Sequence, residues 1–315
     1  MSEDKVLITG AAGYIGSRLA ERLAKNLTVV GVDIREPATP QANFEVCDIR
    51  DKRLADIVSQ HQITHVVHLA SVLESSGDEA RDYDIDVNGT RNVVEACLSS
   101  GVRHLTVTSS GAAYGYHADN PTWIDEDDPL RGNEEFAYSK HKKLVENYLA
   151  EVRKSHPELQ QLILRPGTVL GRETRNQITN LFDKNRILAI SGSDSPFVFI
   201  WDEDVLDIIE MGIRESKVGR YNLAGDGAMS IFEIARRLNK PVLSLPAGLL
   251  KLALSIAKPL RLSRYSPQQI NFLRYRPVLS NRRLKSEFGY TPQLTSREVF
   301  ELFVENRQKN EGSSP

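Results

Sequence analysis

A chain of 315 residues, 40% of them hydrophobic, is long enough for a full α/β domain and a smaller second unit. Its 40 Lys and Arg nearly balance 42 Asp and Glu, which argues against a nucleic-acid-binding protein. Cys47 and Cys97 fall in a predicted strand end and a predicted helix, so we expect reduced thiols and a cytoplasmic protein. We expect no signal peptide and no membrane span, because the first strand begins almost at once and the longest apolar stretch, residues 247–257, is too short.

The first predicted strand, residues 6–8, runs directly into a glycine-rich turn and a helix over residues 14–25. Gly10, Gly13 and Gly16 have the spacing at which a chain turns sharply, lets its backbone approach a pyrophosphate, and packs a helix closely. The helix N-terminus then presents free N–H groups to the phosphates. This order of elements predicts a dinucleotide site.

The second predicted strand, residues 28–32, ends in Asp33, where a carboxylate accepts hydrogen bonds from the adenosine ribose. A carboxylate there repels a 2′-phosphate and favours NAD over NADP, although Arg35 is close enough in sequence to bind such a phosphate. A third strand, residues 43–47, leads to Asp48 and Ile49. The Asp48 carboxylate either reaches the adenine amino group or caps a helix over residues 51–60, and the sequence leaves both readings open.

The fourth and fifth predicted strands, residues 64–71 and 104–108, should end beside the dinucleotide, because ligands bind at the carboxyl ends of parallel strands. His65 and His68 in the fourth strand face opposite sides and have no acidic or cysteine partner at ligand spacing, so we predict no metal site.

Ser109 and Ser110 end the fifth strand, and Tyr138 and Lys142 follow at i, i+4 in a predicted helix over residues 136–150. A nearby ammonium lowers the pKa of a phenol, which makes the phenol a proton shuttle at neutral pH. Ser110 is then placed to hydrogen-bond the same substrate oxygen.

These motifs together resemble the extended short-chain dehydrogenase/reductase family of the NAD-dependent epimerase/dehydratase type. The resemblance rests on TGAAGYIG, HLAS, DVNGTRNVVEAC, TSSGAAYG, YSKHK and RPGTVLG, in that order over residues 6–171. It implies a Rossmann-like, doubly wound parallel α/β sheet in residues 1–171, a smaller mixed α/β cap that binds substrate in residues 172–307, and a flexible tail in residues 308–315. The helices over residues 83–99 and 136–150 pair in many relatives, which implies a homodimer.

The resemblance also implies roles for single residues. Tyr138 is the acid/base, Lys142 holds the nicotinamide ribose and lowers the pKa of Tyr138, and Ser110 orients the substrate oxygen. The residues expected to contact NAD are Gly10, Gly13, Tyr14, Ile15, Gly16, Asp33, Asp48, Ile49, Leu69, Ala70, Ser71, Ser109, Tyr138 and Lys142.

Three positions depart from the family pattern. Asp86 stands where the family usually has Asn, and Thr168 stands where nucleotide-sugar enzymes of the family have Asn. Phe197 aligns with an Arg that contacts the substrate diphosphate, and a diphosphate needs charge-assisted donors. Thr168, Phe197 and Arg172 are the candidate substrate residues, and the arginines near enough in sequence to replace the missing one are Arg172, Arg175 and Arg186.

An apolar helical stretch over residues 245–262 carries Lys251 and Lys258 seven residues apart on one face. It is either a cap helix that buries its apolar side, a lining for a lipid-like substrate, or a contact with a membrane surface.

Three functions follow from the sequence. The first is a dehydrogenase or reductase that acts on a secondary alcohol or ketone with Tyr138 as acid/base. The second is a nucleotide-sugar epimerase that retains its NAD through each turnover. The third is a non-catalytic dinucleotide sensor, which the presence of both Tyr138 and Lys142 disfavours. A dehydratase is disfavoured because Gly111 and Ala112 follow Ser110, where dehydratases of the family carry Asp and Glu.

Overall fold

The computed structural model describes residues 4–73, 76–257, 267 and 270–312. They form two compact units that alternate along the chain. The first unit consists of Met1–Ser110, His141–Arg165 and Glu203–Tyr221, and the second consists of Gly111–Lys140, Pro166–Asp202 and Asn222–Pro315.

The described residues contain eleven named strands and eleven α-helices. The strands are β1 Lys5–Thr9, β2 Thr28–Asp33, β3 Phe44–Val46, β4 His65–His68, β5 His104–Thr108, β6 Gln160–Pro166, β7 Thr168–Leu170, β8 Ile187–Ile190, β9 Phe199–Trp201, β10 Gly219–Leu223 and β11 Val242–Leu245. The helices are α1 Tyr14–Leu23, α2 Arg53–Gln60, α3 Glu79–Tyr83, α4 Gly89–Ser99, α5 Ala137–Ser155, α6 Gln177–Phe182, α7 Asp202–Arg214, α8 Ile231–Arg237, α9 Ala247–Ala257, α10 Ile270–Arg274 and α11 Ser296–Gly312.

The main sheet has seven strands in the order β10-β6-β5-β4-β1-β2-β3. The strands from β1 to β6 pair in parallel, and the strand order reverses between β1 and β4. This is the doubly wound Rossmann-like arrangement, in which ligands bind at the carboxyl ends of the strands beside the reversal. The predicted fold class is therefore confirmed.

The central strands are buried along most of their length because helices cover both faces of a parallel sheet. Val6, Leu7 and Ile8 in β1 and Val66 and Val67 in β4 are at most 1% exposed. Cys47 and Cys97 are free and lie in the same buried core. Burial raises the pKa of the Cys97 thiol to about 12.

Helix boundaries differ from the predicted ones by a few residues. The helix expected from residue 51 begins as α2 at Arg53, because the Asp51 side chain accepts the Arg53 N–H at 2.9 Å and so ends the preceding turn. The helix expected over residues 83–99 starts earlier, as α3, and passes through a π-helical turn, Asp84–Asn88, into α4. Helix α5 continues to Ser155, beyond the predicted end at residue 150.

The second unit has two small sheets, in which β7 pairs with β9 and β8 pairs with β11. Its core is aromatic: the rings of Phe197 and Phe300 each lie within 6 Å of Phe199 and of Phe182. Helix α11 runs to Gly312, into the predicted tail, and residues 313–315 lie outside the described residues. Residues 258–262 of the predicted apolar helix also lie outside them, and α9 covers the part before. No helix in the described part of the chain is long and apolar enough to cross a membrane.

Candidate active site

The turn between β1 and α1 has the geometry of a phosphate-binding loop. Gly10 adopts φ = +74°, and a Cβ there would lie 2.8 Å from the backbone nitrogen of Ala70. A Cβ on Gly16 would overlap the carbonyl oxygen of Gly10. The N-cap residue of α1, Gly13, has no side chain to occupy the N–H groups of the first turn. The turn therefore brings bare backbone to the N-terminus of α1 without a Cβ in the way, as the close approach of a dinucleotide pyrophosphate requires.

Tyr14 and Ile15 form the first turn of α1, and both are partly buried. The Tyr14 ring lies beneath the guanidinium of Arg18, 5.3 Å from its centroid, and its hydroxyl accepts a hydrogen bond from Arg18. Arg18 also pairs with Glu203 at the start of α7. The start of α1 is thus tied to a second helix of the same unit.

Asp33 lies at the end of β2 and is bonded to the glycine turn. Its Oδ2 accepts the backbone N–H of Ala12 at 3.1 Å, and its Oδ1 accepts that of Ile34 at 2.8 Å. The carboxylate is partly exposed beside the turn, where the sequence predicts contact with the adenosine ribose.

Asp48 bonds to Arg50 rather than to the start of α2. Its carboxylate accepts the Arg50 backbone N–H at 2.9 Å and two guanidinium N–H groups at 3.0 and 2.6 Å. The side-chain hydrogen bond from Arg50 lowers the pKa of Asp48. Ile49 is buried, with its Cδ1 against the backbone of Gly89. The capping interpretation of Asp48 is thus not supported, and contact with adenine stays a prediction.

The segment after β4 crosses directly over the end of β1. The Leu69 N–H donates to the carbonyl of Thr9 at 3.2 Å, and the Ala70 N–H donates to the Thr9 hydroxyl at 3.3 Å. Ser71 turns its hydroxyl toward Asp86, to which it donates at 2.9 Å. These three predicted cofactor residues therefore lie at the carboxyl ends of neighbouring strands, beside Gly10.

Asp86 is a buried carboxylate held by several donors. Besides Ser71, it accepts the Val72 N–H at 2.8 Å and lies 3.1 Å from Nδ1 of His141. Burial alone would raise the pKa of Asp86, but the hydrogen bond with His141 and the charge of Lys142 hold it below its ordinary value. The departure from Asn at this position is thus accompanied by a buried histidine partner. Sequence reasoning missed His141, although it directly precedes Lys142.

Lys142 lies against a cavity of ≈ 10 Å³, about the size of one water molecule. The lysine is 7% exposed, and its Nζ donates to the carbonyl of Thr108 at 3.1 Å. His68 lines the same cavity between the hydroxyls of Thr9 and Thr90, at 2.7 and 3.0 Å. Burial lowers the pKa of His68 to about 3, so this imidazole is neutral and Lys142 is the cationic side chain of the two.

Ser109 and Ser110 have different surroundings. The Ser109 hydroxyl donates to Oε1 of Glu146 at 2.5 Å, and Glu146 accepts two N–H groups of Arg165, the shortest at 2.6 Å. All three side chains are buried, so the hydroxyl of Ser109 is part of a hydrogen-bond network inside the core. Ser110 is only partly buried and is the better placed of the two serines to meet a ligand.

Helix α5 carries both Tyr138 and Lys142, four residues apart and therefore one turn apart on one face. Tyr138 falls in the second unit, where its ring lies 6.3 Å from that of Phe136. Phe136 in turn contacts Tyr116 and Phe272, at 5.5 and 5.3 Å between ring centroids. Tyr138 is thus the partly exposed edge of an aromatic cluster.

Arg276 enters this cluster as a half-buried cation. Its guanidinium carbon lies 4.4 Å from the ring centroid of Phe272 and 3.9 Å from that of Phe197. Its Nε donates to the Ser195 hydroxyl at 3.3 Å, and within the described residues no carboxylate pairs with it. Burial lowers the pKa of Arg276 to about 10, which still leaves it charged at neutral pH. Sequence reasoning missed this residue.

The three predicted substrate residues lie in different surroundings. Phe197 is 2% exposed and supports Arg276 from within the core. Thr168 begins β7, and its N–H donates to the carbonyl of Val198 at 3.0 Å. Arg172 is exposed, and its contact with a substrate stays a prediction.

The histidines of β4 serve the core. His65 packs on His104 at 5.5 Å between ring centroids, and burial lowers the pKa of His65 to about 4. A search of the described residues finds no group of three His, Cys, Asp or Glu side chains that is arranged to hold a metal ion.

Comparison with known proteins gives one family. The sequence model of the NAD dependent epimerase/dehydratase family matches residues 6–215. UDP-glucose 4-epimerase 2 of Oryza sativa subsp. japonica is 32% identical over 285 residues, which cover 75% of this chain and 69% of the relative. N-acetyl-alpha-D-glucosaminyl-diphospho-ditrans,octacis-undecaprenol 4-epimerase of Escherichia coli O157:H7 is 25% identical over 261 residues, which cover 78% of this chain and 77% of the relative.

The fold is shared with solved structures over nearly the whole chain. UDP-glucose 4-epimerase of Thermus thermophilus, in complex with NAD, superimposes with a TM-score of 0.73 and 24% identity, covering 96% of this chain and 99% of the other.

Proposed function

Because the chain belongs to the NAD-dependent epimerase/dehydratase family, and is an NAD-dependent enzyme of that family, we propose that it epimerises a sugar carried on a diphosphate. NAD, when bound, supplies two-electron redox chemistry at a secondary alcohol carbon. We propose that the cofactor stays bound through the cycle. The substrate is oxidised, the keto intermediate rotates to present its other face, and the same cofactor reduces it again, so there is no net redox change. A dehydrogenase that releases an oxidised or reduced product is the competing hypothesis.

The observation that carries the proposal is Arg276 on the ring of Phe197. The sequence lacks the expected Arg at position 197, which counts against a diphosphate substrate. The second unit instead brings a guanidinium to 3.9 Å from the Phe197 ring, in the aromatic cluster that includes Tyr138. A guanidinium that is desolvated and has no carboxylate partner among the described residues is suited to bind a diphosphate. The lost donor is thus replaced from another part of the chain.

The acid/base roles follow from the residues of α5 and β5. Tyr138 takes the proton of the substrate hydroxyl when the alcohol is oxidised and returns it when the ketone is reduced. Ser110 hydrogen-bonds the same oxygen. The Lys142 ammonium, one turn along α5, holds the nicotinamide ribose. These roles stay proposals for this chain, and both side chains of the acid/base pair are present.

We propose that NAD lies along the carboxyl ends of β1, β2 and β4. The fit of the glycine turn supports this, since Gly10 and Gly16 leave no room for a Cβ and the turn leads directly into the N-terminus of α1, whose dipole favours a pyrophosphate. Asp33 accepts the adenosine ribose hydroxyls and disfavours a 2′-phosphate. The segment from Leu69 to Ser71 lines the remaining side of the proposed cofactor site.

Substrate recognition is assigned mainly to residues 172–307, together with Tyr138. We further propose a cytoplasmic homodimer. The two free cysteines support a reducing compartment, and the outer faces of α4 and α5 are the proposed dimer contact, by analogy with the family.

A second candidate substrate is a sugar diphosphate carried by a polyprenol instead of a nucleoside. The relative from Escherichia coli is named for such a substrate, and the exposed apolar helix α9 is the feature of this chain that favours it. The diphosphate contact with Arg276 is common to both candidates.

The test is direct turnover. Purified protein is incubated with UDP-glucose, UDP-N-acetylglucosamine or polyprenyl-diphospho-N-acetylglucosamine, and the C4 epimer is quantified by chromatography. We expect one of these to be converted without added NAD and without net formation of NADH. Conversion that consumes added NAD in equal amount would instead establish the dehydrogenase.

A further inference from the structure

Helix α9 presents an apolar face to solvent. Leu249, Leu252 and Ile256 are 56, 60 and 58% exposed. Their i, i+3, i+7 spacing places them on one side of the helix, and we call these three residues the α9 face. Leu250 and Leu254 are partly buried and attach the helix to its own unit.

Single exposed leucines are common on protein surfaces, but a contiguous group of them is not. The strand that precedes α9 adds Val242 and Leu243, which are 37 and 40% exposed. Exposed apolar side chains of the described residues are therefore concentrated around α9, as at a surface that binds a partner or a membrane.

The charge around the α9 face identifies the kind of partner. The sequence contains no Asp or Glu between Glu233 and Glu287, although the whole chain has 42 of them. The same segment carries twelve Lys and Arg residues, of which Arg282, Arg283 and Lys285 pair with acidic side chains from other segments. Lys251 is on α9 itself and is exposed. An apolar face on a helix that carries an exposed lysine and no carboxylate is complementary to a bilayer with anionic headgroups.

The other occupants fit less well. In a symmetric contact between two copies, the same patch meets itself, so Lys251 of each copy would face a surface whose helix, α9, has no carboxylate to pair with it. The described part of α9 has 11 residues and rises only about 16 Å, which is less than the thickness of a bilayer core. A helix of this kind lies in the plane of the membrane interface.

We propose that the α9 face binds the surface of an anionic lipid bilayer, with Leu249, Leu252 and Ile256 in the headgroup region and Lys251 at the phosphates. The inference goes beyond the proposed function, because it requires neither a substrate nor turnover. The aromatic cluster that includes Phe272 of α10 belongs to the same unit as α9. Binding through the α9 face would therefore hold the unit that contains this cluster at the membrane.

The experiment is co-sedimentation of the full-length protein with vesicles. One set of vesicles is phosphatidylcholine alone, and the other also contains phosphatidylglycerol. We expect binding to the anionic vesicles that exceeds binding to the neutral ones at least tenfold. The triple variant Leu249→Gln, Leu252→Gln, Ile256→Gln should lose at least tenfold of the anionic binding, and Lys251→Glu should lose a smaller part.

The matched control removes three exposed apolar side chains elsewhere, through Trp123→Gln, Val218→Gln and Phe232→Gln, and should bind as the wild type does. Tyr138→Phe should also bind normally, so that failure of the proposed chemistry leaves this test intact. Equal binding to neutral and anionic vesicles, or wild-type binding by the triple variant, would overturn the proposal. So would a loss of oligomer mass by the triple variant in light scattering without lipid, which would assign the α9 face to a second copy.

Discussion

In the first unit two buried carboxylates are each paired with a basic side chain, whereas in the second unit no carboxylate of the described residues pairs with the half-buried guanidinium of Arg276. Asp86 is paired with His141, and Glu146 is paired with Arg165. Arg276 is surrounded by aromatic rings, and no carboxylate of the described residues pairs with it. Breaking a buried pair is costly, so the paired groups fix one arrangement of the first unit. An enclosed cation that lacks a counter-ion is suited to receive one from a ligand.

The two units are therefore expected to have different functions. We propose that the glycine turn of the first unit binds the cofactor and that Arg276 of the second unit binds the substrate diphosphate. Variants that touch the chemistry should affect turnover, variants of the paired groups should affect stability, and variants of Arg276 should affect substrate affinity.

The largest effect is expected for Tyr138→Phe. Without the hydroxyl, no group carries the substrate proton, so kcat should fall about 10²- to 10⁴-fold while the NAD content of the protein is unchanged. Tyr148→Phe, on the same helix, is the matched control and should turn over as the wild type does. Normal turnover by Tyr138→Phe would remove this residue from the acid/base role.

Gly16→Ala should empty the cofactor site and destabilise the first unit. The new Cβ overlaps the Gly10 carbonyl, and overpacking of this kind costs about 1–3 kcal/mol of unfolding free energy. Denaturant unfolding and the dinucleotide content measure the two effects. Gly248→Ala in α9 is the control, because a Cβ there meets open space. Retention of both NAD and stability by Gly16→Ala would contradict the assigned turn.

Arg276→Leu should weaken binding of a diphosphate-linked sugar. Hydrogen bonds to a charged group contribute about 1.5–3 kcal/mol, so KM should rise about 10- to 100-fold with a smaller change in kcat. Arg282→Leu is the control, because Arg282 is 77% exposed and pairs with Asp125. An unchanged KM would show that the diphosphate is bound elsewhere.

Asp86→Asn tests whether the buried pair of Asp86 and His141 stabilises the fold, through the pH dependence of the free energy of unfolding. The folded pKa of Asp86 is lowered, so its ionised form stabilises the fold above the ordinary carboxyl pKa of about 4, and this contribution is lost as the pH falls through the folded value. The variant should be less stable than the wild type by about 1–3 kcal/mol at pH 7. The gap should narrow in acid, as measured by urea unfolding at several pH values. If the difference in unfolding free energy between the wild type and the variant does not change with pH, the charge of Asp86 is not what stabilises the fold.

The smallest effect is expected for Asp33→Asn. The amide retains an acceptor for the Ala12 N–H but removes the negative charge beside the ribose. The preference for NAD over NADP should fall by a few-fold, in keeping with roughly 0.2–1 kcal/mol for an exposed charge interaction. Relative Kd values for the two cofactors measure this, with Asp51→Asn as the control. An unchanged preference would mean that Asp33 does not face the ribose.

Local sequence patterns predicted the strands of the main sheet, the glycine turn and the helix that carries Tyr138 and Lys142, because each of these signals lies within a few residues. The apolar runs of β1 and β4, the glycine turn, and the spacing of Tyr138 and Lys142 are all short-range features. Element ends were less predictable, since the start of α2 coincides with a single hydrogen bond that the Asp51 carboxylate accepts from the Arg53 N–H. Pairings such as β8 with β11 join segments more than fifty residues apart and leave no local signal.

The missed residues have the same physical cause. His141 reaches Asp86 across 55 positions, and Arg276 reaches Ser195 across 81, so neither contact has a fixed spacing in the sequence. The cationic segment between Glu233 and Glu287 was readable from the sequence, but the near balance of charge over the whole chain concealed it.

The most direct test of a retained cofactor is its quantity in the purified protein. The protein is denatured without added nucleotide, and the released dinucleotide is identified and quantified by chromatography. The account predicts close to one NAD per chain, because an epimerase recycles the same cofactor in each turnover. A protein that is purified empty and readily binds and releases added NADH would contradict it and favour a dehydrogenase that exchanges its cofactor in every cycle.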